Sequence, residues 1–331
     1  MAYALWLLVQ SGDVQSRSTI LPGGSKVRVL VTGGAGFIGS HIVEHFQAKA
    51  EVRVLDNLRT GHRRNLAAFR CEFLEGSVLD RNSVRQAVEG VDYVFHLAAM
   101  ISVPESMQKP VECNEINTAG TLVVLEEAAE AKVKKLIFSS SAAIYGNNPV
   151  TPKVETMAPE PKSPYAVTKL DGEYYCKMFS DEGRLSTASL RYFNVFGPRQ
   201  DPNSQYAAAV PIFIHRALRH EKIPIHGDGE QTRDFIYVED IAAANAYFAT
   251  QSPATGVFNV AYGQRITIND LATTIIRLSG SRSVIEHGPE RPGDVKHSLA
   301  AVDRLRSAGF TPKDNLADGL KATVASFSKS A

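Results

Sequence analysis

The sequence predicts an α/β fold, a doubly wound parallel sheet followed by a smaller C-terminal lobe. Three observations predict it. Short β-branched runs alternate with longer helical stretches from Lys26 to Leu190. A glycine-rich loop separates the first such run from the first helical stretch. After Arg191 the alternation gives way to loops rich in Gly, Pro and Asn, followed by shorter elements.

Taken in order, Val27–Thr32, Val52–Asp56, Cys71–Leu74, Tyr93–His96, Lys135–Ser139 and Leu185–Leu190 read as strands. Their near-continuous apolar character suits a sheet covered on both faces. Helices are expected over Ser40–Lys49, Val111–Ala131 and Tyr165–Ser180. The second lobe is expected to hold a strand at Val257–Val260 and helices near Ile268–Leu278 and Leu316–Phe327. The domain boundaries read as 26–190 for the sheet domain, with 234–250 packing back on it, and 191–331 mainly for the lobe. In open parallel sheets ligands bind beyond the carboxyl ends of the strands, so this lobe is expected to close over that edge.

Ahead of this stand an apolar run, Ala2–Val9, and a polar, turn-rich stretch, Ser11–Ser25. No basic segment precedes the run and no A-x-A site follows it, so 1–25 reads as a poorly ordered extension rather than a signal peptide. The 331 residues are 44% hydrophobic and 21% charged, enough for a full core. With 36 basic against 35 acidic residues and no long run of either sign, the electrostatic footprint of a nucleic-acid or membrane-surface binder is missing. No segment has the ~20 consecutive apolar residues of a membrane span. Cys71, Cys113 and Cys176 are few and far apart, which argues against a disulfide framework or a thiolate metal site and fits a reducing cytoplasm. His41 and His45 have metal-ligand spacing but lack a third ligand, so no metal is expected.

Directly after the first strand comes Gly33-Gly34-Ala35-Gly36-Phe37-Ile38-Gly39, a G-x-G-x-x-G loop that opens into a helix. Such a loop gives a tight turn, close approach of backbone to a pyrophosphate, and a helix N-terminus with free N–H groups and a positive dipole end. Asp56 ends the second strand at the spacing where an acid holds the adenosine ribose hydroxyls, and its charge would repel the extra phosphate of NADP. NAD is therefore the expected cofactor. Arg59, Arg63 and Arg64 just downstream read as solvated loop charges.

Ser139-Ser140-Ser141 ends the fifth strand, and Tyr165 and Lys169 begin the following helix. Four residues apart, tyrosine and lysine share a helical face, so the ammonium can favour the phenolate and bring its pKa from ~10 toward neutrality. A phenolate of that kind is a usable general base, and Ser141 would hold the substrate oxygen whose proton moves.

With these motifs in place the sequence resembles the extended short-chain dehydrogenase/reductase superfamily, and within it the UDP-hexose 4-epimerases, over Lys26 to Phe327. The resemblance also rests on Asp56-Asn57, His96-Leu97-Ala98-Ala99, Asn117 in N-x-x-G-T, Ser139 to Gly146, Ser163 to Lys169, Arg191-Tyr192-Phe193-Asn194, Gly227 to Asp240 and Arg291-Pro292-Gly293-Asp294. It implies a Rossmann fold, with Ser141, Tyr165 and Lys169 as the catalytic trio. Gly33, Gly36, Phe37, Ile38, Gly39, Asp56, Asn57, Leu97, Ala98, Ala99, Asn117, Ser139, Tyr165, Lys169 and Tyr192 would contact NAD. Ser141, Asn194, Ala209, His226, Arg233, Arg291, Asp294 and Ser298 would hold a UDP-sugar, the two arginines pairing with its pyrophosphate. A homodimer built on two helices of each subunit is implied as well.

Dehydratases of this superfamily carry an Asp-Glu pair where this chain has Ala142 and Ala143, which favours epimerisation without elimination. Many relatives have Thr at the place of Ala143. Ser298 stands where epimerases restricted to glucose and galactose have Tyr; the smaller residue leaves room for a 2-acetamido group, although a small lining residue permits a substrate without requiring it. The stretch Arg191 to Val210, with Gln200-Asp201-Pro202-Asn203, resembles the subgroup acting on acetylated sugars. Ser77 and Ile101 depart from the Asp and Lys found near the cofactor in some relatives. The competing readings are a UDP-glucuronate 4-epimerase or decarboxylase and, from another class, a non-catalytic NAD-sensing module.

Overall fold

The computed structural model of the chain describes residues 26–202, 208–290, 296–313 and 315–330. The elements follow one another as β1 (Arg28–Thr32), α1 (Phe37–Phe46), β2 (Glu51–Asp56), β3 (Glu72–Glu75), α2 (Arg81–Val88), β4 (Tyr93–His96), α3 (Val103–Gln108), α4 (Pro110–Asn114), α5 (Gly120–Glu130) and β5 (Lys135–Ser141). Next come α6 (Pro164–Asp181), β6 (Thr187–Tyr192), β7 (Asn194–Phe196), α7 (Ala209–Leu218), β8 (Ile223–His226), β9 (Thr232–Arg233), β10 (Phe235–Tyr237) and α8 (Val238–Thr250). The chain finishes with β11 (Gly256–Val260), β12 (Ile266–Thr267), α9 (Ile268–Leu278), β13 (Ile285–Gly288), α10 (Asp303–Ser307) and α11 (Leu316–Ser330).

Seven strands form one parallel sheet in the order β11-β6-β5-β4-β1-β2-β3. The period of two along each strand sorts its side chains between two helical layers. Val29, Val31, Val54, Phe95 and Ile137 pack with Ile42, Val43 and Phe46 of α1 and with Ile241 and Phe248 of α8. Leu30, Leu55, Val94, Leu136 and Phe138 pack on the opposite face with Val84 of α2, Leu125 of α5 and Cys176 and Phe179 of α6. Each fully buried side chain of this kind contributes about 1.5–3 kcal/mol, so apolar residues at successive positions are what a two-faced sheet requires. A third core, around Phe196, Phe213, Phe235, Tyr237, Leu271, Ile275 and Leu320, belongs to the lobe beyond β6.

Two expectations change. The strand expected inside the second lobe is instead the edge strand of the main sheet: β11 pairs in parallel with β6, from Gly256 beside Ala188 to Val260 beside Tyr192. Its Phe258 and Val260 are buried, and the amide of Asn259 bonds the Tyr145 hydroxyl and the carbonyl of Lys153. The helix expected over Val111–Ala131 is broken into α4 and α5 by a π-helical turn, Glu115–Ala119. Such turns are frequent at functional sites, and this one carries Asn117. Residues 1–25 lie outside the described residues.

Candidate active site

Three adjoining cavities lie along the carboxyl ends of the strands. The first, about 280 Å³, runs from Gly33, Gly36, Phe37, Ile38 and Gly39 past Asp56 and Asn57 to Leu97, Ala98, Ala99, Ser139, Ser141, Lys169 and Tyr192. The second, about 690 Å³, is lined by Asn194, Ala209, His226 and Arg233, and the third, about 670 Å³, by Ser141, Ala142, Ala143, Asn194, Arg233 and Ser298. Tyr165 and Phe193 stand on the walls of all three.

The glycine loop is shaped for close approach. β1 ends where Gly33 adopts φ +71°, and a Cβ there would come within 2.8 Å of the Ala98 nitrogen. A Cβ on Gly39 would sit 2.2 Å from the Gly33 carbonyl oxygen, which neither backbone could yield without moving the start of α1. Asp56 faces this loop. Its Oδ2 accepts the Ala35 N–H at 2.9 Å and its Oδ1 the Leu58 N–H at 2.8 Å, while burial pushes its carboxyl above the ordinary value. Each oxygen keeps a further lone pair for a hydroxyl donor.

Of the arginines read as solvated from the sequence, Arg59 is paired and largely covered, whereas Arg63 is paired but stays solvent-exposed. Arg59 donates to Glu112 at 2.6 Å and Glu105 at 2.9 Å, and Arg63 donates to Glu75 at 2.8 Å while lying 4.2 Å above the Phe73 ring. Their partners lie far along the chain, so local sequence gave no sign of them. Asn117 also differs from expectation. It is buried behind the cavity rather than on its wall, its amide taken up by Met100 N–H (2.7 Å), Met100 carbonyl (3.0 Å) and the Thr168 hydroxyl (3.0 Å). It braces the loop after β4 against α6.

The α6 helix starts at Ser163, whose hydroxyl accepts the Ala166 N–H at 3.2 Å, with Pro164 in the first turn. This start sets Tyr165 at the cavity and Lys169 one turn deeper. The Lys169 ammonium donates to the Ser139 carbonyl at 2.7 Å and lies 5.9 Å from the Tyr165 ring centre; burial pulls its pKa down to about 8. Tyr165 departs from the expected shift toward neutrality. Burial holds its phenol above the ordinary value, and the group pulling it down is the Ser141 hydroxyl rather than the lysine. Ser141 also accepts the Ala143 N–H at 3.1 Å. Behind this wall His96 is held between Thr32 (2.7 Å) and Thr121 (2.9 Å), and burial with the nearby Lys169 charge lowers its pKa to about 3, which keeps it neutral.

Arg291 and Asp294, expected to hold the UDP moiety, lie outside the described residues. His41 and His45, at metal-ligand spacing, are engaged by protein groups, His41 with the Pro198 carbonyl at 3.0 Å and His45 with the Lys49 ammonium at 3.0 Å. Among the described residues no three His, Cys, Asp or Glu side chains gather as metal ligands, and no helix is long and apolar enough to cross a membrane. Residues that the sequence did not single out also line the first cavity, among them Thr60, Gly61, Val78 and Ile116. Their signal is purely spatial, since only the neighbouring strand ends bring them together.

Comparison with known proteins gives a consistent result. Residues 29–261 match the model of the NAD dependent epimerase/dehydratase family. The chain is 36% identical over 299 residues to a putative UDP-glucose 4-epimerase of Methanocaldococcus jannaschii, covering 89% of this chain and 97% of the relative. Its structure is similar to a UDP-N-acetylglucosamine 4-epimerase from Methanobrevibacter ruminantium, solved in complex with UDP-N-acetylmuramic acid (TM-score 0.89, 43% identity, 93% of this chain and 100% of that one). It is also similar to the UDP-glucose 4-epimerase of Thermus thermophilus in complex with NAD (TM-score 0.83, 38% identity, 91% and 99%).

Proposed function

The chain belongs to the NAD dependent epimerase/dehydratase family, and from that premise we propose that it is a UDP-hexose 4-epimerase using tightly bound NAD. Its substrates in this reading are the pairs UDP-N-acetylglucosamine/UDP-N-acetylgalactosamine and UDP-glucose/UDP-galactose. The observation that carries the proposal is the place of Tyr165, where the glycine-loop cavity meets the two lined by Asn194, Arg233 and Ser298.

The glycine cradle and the Asp56 carboxylate fit a dinucleotide, with Asn57, Leu97, Ala98, Ala99, Ser139 and Tyr192 along its remaining length. When bound, NAD supplies the group that accepts a hydride from C4 and gives it back. Tyr165 takes the proton of the 4-hydroxyl and returns it after the sugar has turned, and Ser141 holds the oxygen through both transfers. Lys169, fixed on the Ser139 carbonyl, keeps a positive charge beside the phenol. Asn194, Ala209, His226 and Arg233, with Arg291 and Asp294 by resemblance, anchor the UDP while the hexose pivots.

No carboxylate lines the third cavity among the described residues, and Ala142 and Ala143 stand where an eliminating enzyme needs its acid and base. This favours epimerisation over dehydration. Ser298 on the same wall leaves volume for an acetamido group, and the likeness to an N-acetylglucosamine epimerase supports that choice. An acidic sugar such as UDP-glucuronate is the second reading, favoured by Lys162 on that wall.

The same reading makes the protein a cytoplasmic homodimer, its thiols Cys71, Cys113 and Cys176 free. On α6 the exposed Val167, Tyr174 and Met178 form a stripe, with Met107 and Val111 exposed on α3 and α4. One preparation tests these points. Purified without added cofactor, the protein is expected to elute at twice its chain mass, to release about one NAD per chain on denaturation, and to show no steady growth at 340 nm with substrate and free NAD. A cofactor-free monomer, or continuous NADH formation, contradicts the reading.

A further inference from the structure

We infer that Asp234 is a positioning residue that fixes the UDP-binding wall by acting through Asn194, Arg233 and the segment carrying Ser298. The inference rests on the function proposed above. Asp234 has no exposed surface, and among the described residues no salt bridge reaches it and its Oδ1 has no hydrogen-bond partner. A charged group taken out of water without an ion partner is costly, so its retention asks for a reason. Burial pushes its carboxyl up to about 7, with the main-chain N–H groups of Ala300, Tyr262, Gln264 and Gly263 pulling the other way.

Its contacts supply the reason. Oδ2 accepts the N–H of Gly263, just beyond the edge strand β11, at 3.1 Å, and the N–H of Ala300 at 3.1 Å. The main-chain carbonyl of the same residue accepts both the backbone N–H (3.2 Å) and the side-chain Nδ2 (2.9 Å) of Asn194. With a carbonyl as partner only the nitrogen end of that amide can donate, so Oδ1 is the end left for a ligand. Arg233 is the preceding residue, and its backbone sits between Asp234 and Thr232.

The segment from Lys296 to Ala301 is itself laid along these residues. Thr232 N–H donates to the Lys296 carbonyl at 3.0 Å, Ser298 N–H donates to the Thr232 carbonyl at 3.0 Å, and Lys153 exchanges bonds with Leu299 (2.7 Å) and Ala301 (2.8 Å). Asp234 is thus the side chain that joins the rim of the main sheet to the strip bearing Ser298, while its backbone orients Asn194. Removing the carboxylate leaves two buried N–H donors without an acceptor and frees both strips from their common anchor.

The test is calorimetric titration of UDP into the NAD-loaded protein, comparing wild type with Asp234→Asn and Asp234→Ala. Asparagine keeps one acceptor of weaker, uncharged character. It is expected to weaken UDP binding about tenfold, equivalent to ~1.4 kcal/mol, with the NAD released per chain unchanged; alanine should weaken it further. Should the alanine variant fail to fold, the asparagine variant decides. UDP affinity within twofold of wild type in Asp234→Asn overturns the inference, as does a parallel loss of NAD, UDP binding and thermal stability, which would make Asp234 a residue of general fold stability. Wild type that binds no UDP removes the functional reading itself, a result separate from either.

Discussion

Tyr165→Phe is expected to lower kcat by about 10³-fold while leaving UDP affinity within about threefold of wild type, since general acid–base groups typically contribute 10²–10⁴-fold. The substitution keeps the ring that walls all three cavities and removes only the hydroxyl, so the loss falls on proton transfer rather than on shape. Burial holds this phenol above its ordinary value in the protein alone, with Ser141 the opposing influence. The Ser141 hydroxyl is therefore the protein group that favours ionisation of the phenol. Steady-state kinetics with a UDP-sugar reads the effect. A kcat within tenfold of wild type would remove Tyr165 from the role of base.

Gly39→Ala is expected to yield protein with less than about a tenth of the wild-type NAD content. The added carbon would stand 2.2 Å from the Gly33 oxygen and 2.8 Å from the Gly34 Cα, both backbone atoms that no side-chain rotation relieves. The first turn of α1 must then move away from the loop, spoiling the N–H groups that face a pyrophosphate. Such overpacking costs about 1–3 kcal/mol of stability, small enough that the variant should still fold, so absorbance of the cofactor released on denaturation is the decisive reading. One NAD per chain in this variant would show that the glycine loop does not cradle the dinucleotide.

Much of the fold was legible because a sheet buried on both faces writes itself as apolar runs, and β1, β2, β4, β5 and β6 lie within two residues of where those runs place them. The glycine loop, Asp56, the serine run and the Tyr165–Lys169 spacing were legible for a related reason: each is a local pattern attached to a strand end or a helix start. What escaped was set by distant partners. The run Val257–Val260 reads the same in a lobe or in a sheet, and only its pairing with β6 decides. The fate of Arg59 depends on glutamates 46 and 53 positions away. Asn117 carries a motif that suggests ligand contact, yet its amide is consumed by Met100 and Thr168. Asp234 gave no sign at all, since a single Asp within Thr232–Tyr237 reveals neither its burial nor the two N–H groups it accepts.

The most direct test of the central claim is proton and deuterium NMR of UDP-N-acetylglucosamine and UDP-glucose, each deuterated at C4, incubated with the purified protein in ordinary water without added cofactor. Both sugars are expected to equilibrate with their 4-epimers, with deuterium kept at C4 of the inverted product, because the hydride leaves and returns within one closed site. Loss of the label to solvent, formation of a 6-deoxy-4-keto sugar, or conversion of neither sugar would contradict it.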